Sequence, residues 1–149
     1  MNKIFPLLGL LLLGGCISMP QMEKADSTVE SVAVGVESHA RISDVFFSSE
    51  IITGNEYVGY PYVYNGSASK IELTVAGATN DKLTLNYAEY TKPQNEYGSF
   101  LKDGDWIIKS AFNSQYQYDL TTSKTVAFKG FEFQVLGVKD NTVIYRRTK

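Results

Sequence analysis

Lys70-Ile71-Glu72-Leu73-Thr74-Val75-Ala76-Gly77-Ala78-Thr79-Asn80-Asp81-Lys82-Leu83-Thr84-Leu85-Asn86-Tyr87-Ala88-Glu89-Tyr90 decides the fold class. Ile71, Leu73 and Val75 fall at every second position, and so do Leu83, Leu85 and Tyr87. A period of two puts each set on one face of an extended strand. Gly77 to Asp81, rich in turn-forming residues, lies between them. The two segments, 70–76 and 82–90, are therefore predicted to form a hairpin.

The same pattern runs outward in both directions. Val32, Val34 and Val36 alternate, Arg41 to Phe47 reads as a second strand, and Glu50 to Thr53 as a short third. Glu56 to Tyr64 reads as a strand that Gly59 and Pro61 restrict to a sheet edge or a bulge. Lys102-Asp103-Gly104-Asp105 is a turn between Leu101 and Trp106. Trp106 to Phe112, Gln115 to Leu120 and Thr125 to Phe128 follow as strands. Phe131, Phe133 and Val135 line one face of the next strand, with Gln134, Leu136 and Val138 on the other. Lys139 to Thr142 turns the chain into Val143 to Arg147. Val, Ile, Thr, Tyr and Phe dominate throughout, and no helical apolar stripe appears. The expected fold is all-β, with about nine or ten short antiparallel strands closed as a barrel or packed as a sandwich.

The N-terminus has another character. Asn2 and Lys3 precede an apolar run from Ile4 to Leu13 that ends in small residues, the layout of a signal peptide. The run is about half the ~20 residues a membrane-spanning helix needs. Leu13-Gly14-Gly15-Cys16 resembles a bacterial lipobox. The resemblance implies that residues 1–15 are removed and that Cys16 becomes the acylated N-terminus. It also accounts for the single cysteine of the chain, which would otherwise leave an exported protein with a reactive thiol. The family pattern is three acyl chains. Ile17 stands where an Asp would resemble an inner-membrane retention signal, so the expected location is the outer membrane. Residues 16–31 are polar, with Pro20 among them, and read as a flexible tether of roughly 20 Å reach. Residues 32–149 are expected to form a single β domain.

Charge excludes some functions. The chain carries 14 Lys and Arg against 16 Asp and Glu. Loss of Lys3 with the leader makes the balance slightly more acidic. No basic patch exists for nucleic acid or anionic lipid. No Gly-rich phosphate loop opens a helix, and no cofactor is expected.

Few residues offer chemistry. His39 is the only histidine, and a catalytic triad or a zinc site needs more than it supplies. Asp103-Gly104-Asp105 hints at calcium but lacks the further oxygens and the distal Glu of a calcium loop, so no metal site is expected. Asp103, Asp105, Glu89 and Glu132 are the candidates for a mechanism built on paired carboxylates. Glu89 stands out because alternation places it on the face of Leu83, Leu85 and Tyr87. The stronger lead is aromatic. Tyr57, Tyr60, Tyr62 and Tyr64 crowd one segment, and the last three alternate onto one face. Tyr presents a flat apolar ring with a polar tip, suited to stacking on a sugar or gripping a protein, and equally to a cross-strand ladder within the sheet.

From Lys70 onward the chain resembles the C-terminal part of a set of small bacterial envelope proteins with no assigned chemistry. Ile71-Glu72-Leu73, Leu83 to Tyr90, Ala111-Phe112, Tyr118-Asp119-Leu120, Phe128-Lys129-Gly130 and Ile144-Tyr145-Arg146 carry the likeness. Two function classes follow. One is a membrane-anchored, non-catalytic β domain that binds or supports an envelope protein or glycan. The alternative is a small envelope hydrolase with paired carboxylates.

Overall fold

The computed structural model describes residues 19–109 and 114–149, so Cys16 and Ala111-Phe112 lie outside the described residues. Twelve strands and no helix are found among the described residues. One antiparallel sheet is centred on β4 (Val45–Tyr57), β5 (Tyr62–Ala78) and β6 (Lys82–Thr91). Short strands line its margins. β1 (Met22–Lys24) and β2 (Ser27–Glu30) pair with β4, β7 (Phe100–Leu101) with β5, and β8 (Ile107–Ile108) and β9 (Ser114–Asp119) with β6. The second sheet has the order β10 (Thr125–Phe128), β11 (Phe131–Lys139), β12 (Thr142–Arg147) and β3 (Glu37–Arg41). The sheets remain separate layers, so the fold is an open sandwich and not a barrel.

The expected 70–90 hairpin is present, with Lys70 opposite Tyr90 and Val75 opposite Leu85. Its apolar face forms half the core. Leu73, Val75, Leu83, Leu85 and Tyr87 pack with Val126, Phe133, Val135, Val143 and Tyr145 of the second sheet. Phe46 and Phe47 are both fully buried although they are adjacent, which a regular strand forbids. A bulge makes it possible: Val45 pairs with Thr74 and Phe47 with Leu73, leaving Phe46 as the extra residue. Phe46 stacks on Tyr145 at 4.0 Å and meets Phe133 edge-on at 5.1 Å. The Tyr145 hydroxyl donates to the Phe46 carbonyl, and burial pushes that phenol up to about 12.

Several expectations need correction. The strands are not uniformly short: β4 has 13 residues and β5 has 17. Val32 to Val36 is no strand. It is the crossing between the two sheets, where Gly35 turns at φ +82° and donates to the Arg147 carbonyl. Glu56 to Tyr64 is the β4–β5 turn and its flanks. Gly59 at φ +85° and the Tyr60 N–H to Tyr57 carbonyl bond close that turn. Within Trp106 to Phe112, the described strand is Ile107–Ile108 alone. Val138 faces the core and not the opposite side, because a bulge between Val135 and Gly137 reverses the alternation. Within the expected tether, Met22–Lys24 and Ser27–Glu30 are strands on the sheet margin. Their anchor is Arg147, only 7% exposed. Its guanidinium lies over Phe47 and Phe131 and donates to Glu30 and, at 3.0 Å, to the Val32 carbonyl.

At about 3.3 Å per residue, β5 would span roughly 55 Å and the nine-residue β11 roughly 30 Å. The β4–β5 hairpin therefore overruns the sandwich. A second, smaller core of Ala25, Val63, Ala68 and Phe100 supports its far half, with Ile52 and Trp106 against it. Within the stretch that the smaller core supports, between Ala68 and Val63, the ladder shifts register at Gly54 and Gly66. A Cβ on Gly66 would stand 1.9 Å from the Thr53 carbonyl oxygen and 2.8 Å from the Gly54 Cα. Both atoms belong to backbone, so the strands must part to admit it. Gly66→Ala is expected to cost about 1–3 kcal/mol, read from chemical denaturation. A change within ~0.5 kcal/mol, the range of an ordinary surface site, would contradict the close approach.

Candidate functional site

The far half of the β4–β5 hairpin gathers most of the residues singled out in the sequence, but it divides them. Tyr57, Tyr60 and Tyr64 form one cluster at the tip. Their ring centroids are 6.3 Å apart for Tyr57 and Tyr60, and 5.6 Å for Tyr57 and Tyr64, both edge-on. Tyr60 and its neighbour Val58 are well exposed on the turn. Tyr62 instead lines a cleft of about 550 Å³ with the loop from Pro93 to Asp105. Tyr62 pairs with Leu101 of β7, which fills the margin of β5 that β6 leaves open beyond Thr91.

That loop has its own scaffold. Asn95 Oδ1 accepts from the backbone N–H groups of Tyr97 and Ser99, a side-chain turn that closes 95–99. Lys92 is 5% exposed and its ammonium donates to the Gly104 carbonyl while lying 4.6 Å from the Trp106 ring centre. This pins the Asp103-Gly104-Asp105 turn against the smaller core. Lys102 reaches back to Glu56 at 2.8 Å. Asp103 and Asp105 are exposed on the cleft, and neither has an ion-pair partner among the described residues. The cleft thus offers an aromatic ring, an apolar Leu101 and two carboxylates with no ion-pair partner among the described residues, while Gln94 on its wall donates to the Gly66 carbonyl at 3.2 Å. Sequence reasoning named Tyr62, Asp103 and Asp105 but not Gln94, Asn95, Leu101 or Lys92. Lys92, Gln94 and Asn95 sit in a loop and Leu101 in a two-residue strand, too short for periodicity, and nothing local marks them.

Glu89 lies elsewhere, at the end of the core face. Lys129 Nζ reaches Glu89 Oε1 and the Tyr87 hydroxyl, each at 2.5 Å, and the Tyr87 hydroxyl donates to Glu89. Lys129 begins the two-residue turn Lys129-Gly130, where both φ angles are positive, at +45° and +89°. Positive φ is unusual for Lys, and the turn aims its ammonium across the sandwich at Glu89. Lys129 and Tyr87 hold the Glu89 carboxyl below its ordinary value. Such a group stabilises the fold in full above the ordinary carboxylate pKa of about 4.3, and the contribution disappears as pH falls through the lower folded value. Glu89→Gln is expected to lower stability at neutral pH and to flatten the acid side of a stability-against-pH curve. An unchanged acid side would contradict the pairing.

The other candidates are dispersed. His39 is exposed, with Nε2 3.4 Å from Glu37 Oε1. Glu132 sits at the start of β11, and its backbone carbonyl accepts from Thr148. Glu89 has an ammonium and a phenol as partners, not a second carboxylate. Among the described residues, no three His, Cys, Asp or Glu side chains are grouped to hold a metal ion. No protein-family model matches the chain, and neither the curated proteins nor the solved structures compared with it are significantly similar.

Proposed function

We propose that this chain is a lipoprotein of a bacterial cell envelope, held at the outer membrane by acyl chains on Cys16, whose β domain binds another envelope component without catalysing a reaction. The observation that carries the binding reading is the cleft beside Tyr62. An exposed aromatic ring and two carboxylates with no ion-pair partner among the described residues line one concavity. That set fits a ligand rich in hydroxyl and amino groups, such as an envelope glycan, which can stack on the ring and donate to the oxygens. The non-catalytic reading draws support from Glu89. A carboxyl held ionised by an adjacent ammonium is a poor proton donor at neutral pH. Asp103 and Asp105 stand exposed to solvent on a loop.

Co-sedimentation of the purified lipoprotein with isolated cell-wall sacculi tests this reading. Tyr62→Ala is expected to weaken retention about tenfold, the 1.4 kcal/mol equivalent of one good contact residue. It should leave the melting transition within about 1 kcal/mol of wild type, because the ring is exposed. Asp103→Asn with Asp105→Asn should act in the same direction. No retention of wild type, or equal retention of all three proteins, would contradict the glycan reading.

A further inference from the structure

We infer that the tip of the β4–β5 hairpin is a membrane-contacting surface: Tyr57, Val58, Tyr60 and Tyr64 rest in the headgroup region of the bilayer to which the chain is anchored. The inference rests on the lipidated Cys16 of the proposed function and adds an orientation to it. Its basis is where the chain enters the domain. Met22 pairs with Tyr57, and the Gln21 carbonyl accepts from the Val58 N–H at 3.1 Å. Among the described residues, the N-terminal segment therefore first meets the fold at the hairpin tip. From Cys16 to Gln21 the chain crosses five Cα–Cα steps, at most about 18 Å even when fully extended. A lipid on Cys16 cannot lie far from Val58. The tether that the sequence implied, long enough to lift the domain clear of the headgroups, has been spent in strands β1 and β2.

The chemistry of the tip matches that position. Val58 and Tyr60 are each 56% exposed, Met22 is 45% exposed and Met19 88% exposed. The turn from Tyr57 to Tyr62 carries no charged side chain. The nearest pair, Glu56 and Lys102, neutralises itself. Rings with an apolar body and a hydroxyl tip favour the membrane–water boundary, where each end meets its preferred medium. A protein partner would be drawn equally to apolar area, but the short connection to the anchor places lipid there first. With the tip on the bilayer, the second sheet stands away from it.

The test uses full-length lipoprotein purified from membranes and reconstituted in phosphatidylethanolamine–phosphatidylglycerol vesicles. Cys16 is a thioether when acylated, so an introduced cysteine is the one free thiol. Val58→Cys and Tyr60→Cys mark the tip, and Asp140→Cys marks the β11–β12 turn on the second sheet. Each is labelled with an environment-sensitive fluorophore. The expected result at 58 and 60 is a blue shift on reconstitution, quenching by nitroxides placed near the lipid headgroups and loss of quenching by aqueous iodide. The probe at 140 should keep full iodide quenching and ignore the nitroxides. Equal iodide quenching at all three positions would overturn the inference. So would loss of iodide quenching at 58 and 60 without quenching by the headgroup nitroxides, since a second copy and not lipid would then cover the tip. Intact mass separates the two premises: acylated protein with an exposed tip refutes the orientation alone, whereas protein without acyl chains removes the anchor on which it rests.

Discussion

Phe133→Ala is expected to cost about 3–5 kcal/mol, a large share of the ~5–15 kcal/mol that holds a domain of this size. Phe133 is fully buried and touches Phe46 and Phe47 at 5.1 Å each and Tyr145 at 6.1 Å, centre to centre. It joins the two sheets, because Phe46 and Phe47 belong to β4 and Tyr145 to β12. Truncation removes partners from both layers at once and leaves a void between strands whose backbones are fixed by their ladders. The surroundings collapse poorly, which places the cost at the upper end of the range. The matched measurement is urea denaturation of the two proteins. A loss below about 1 kcal/mol would show that the sheets do not meet at this residue.

Glu30→Ala is expected to cost about 2–3 kcal/mol, although Glu30 belongs to a segment with no apolar pattern. Removing one member of a buried ion pair typically costs ~3–5 kcal/mol, because the other charge remains in the interior. Glu30 retains 30% of its side-chain exposure and Arg147 8%, so the penalty is scaled down and not abolished. The Val32 and Lys149 carbonyls, at 3.0 and 2.8 Å, continue to satisfy part of the guanidinium. A residue in a solvated tether would change stability by no more than about 0.5 kcal/mol. The two expectations are far enough apart for one thermal or denaturant series to separate them. Replacing Glu23, whose strand β1 has every residue exposed and which has no ion-pair partner among the described residues, serves as the control.

The contrast between Phe133 and Glu30 marks what was legible in the sequence. Segments 70–76 and 82–90 were readable as strands because one face is core, and burial writes a period of two into the residues. Phe131, Phe133 and Val135 were readable for the same reason. Bulges were not. Phe46 beside Phe47, and Val138 turned inward past Gly137, break the alternation that the reading depends on. Strands β1 and β2 carry no pattern at all, since every one of their residues is exposed and backbone pairing with β4 holds them. An edge strand of that kind leaves almost no trace in composition.

The candidate site was half legible. The crowd of tyrosines around Gly59 and Pro61 read as the aromatic face of an edge or bulged strand, whereas the segment is a turn in which Tyr57, Tyr60 and Tyr64 meet. Alternation could not separate Tyr62 from them, because it does not encode a neighbouring loop folding back to make a cleft. Asp103 and Asp105 reach that cleft through Lys92, whose buried ammonium fixes Gly104 from behind. A lysine that follows a strand gives no local sign of being interior.

Intact mass spectrometry of the protein purified from membranes tests the anchored-lipoprotein account most directly. The expected species is a chain that begins at Cys16, lacks residues 1–15 and carries the added mass of acyl chains on its N-terminal peptide, with none of that mass in Cys16→Ser. A chain with unmodified Cys16, or one that retains residues 1–15 in the wild type, would contradict it.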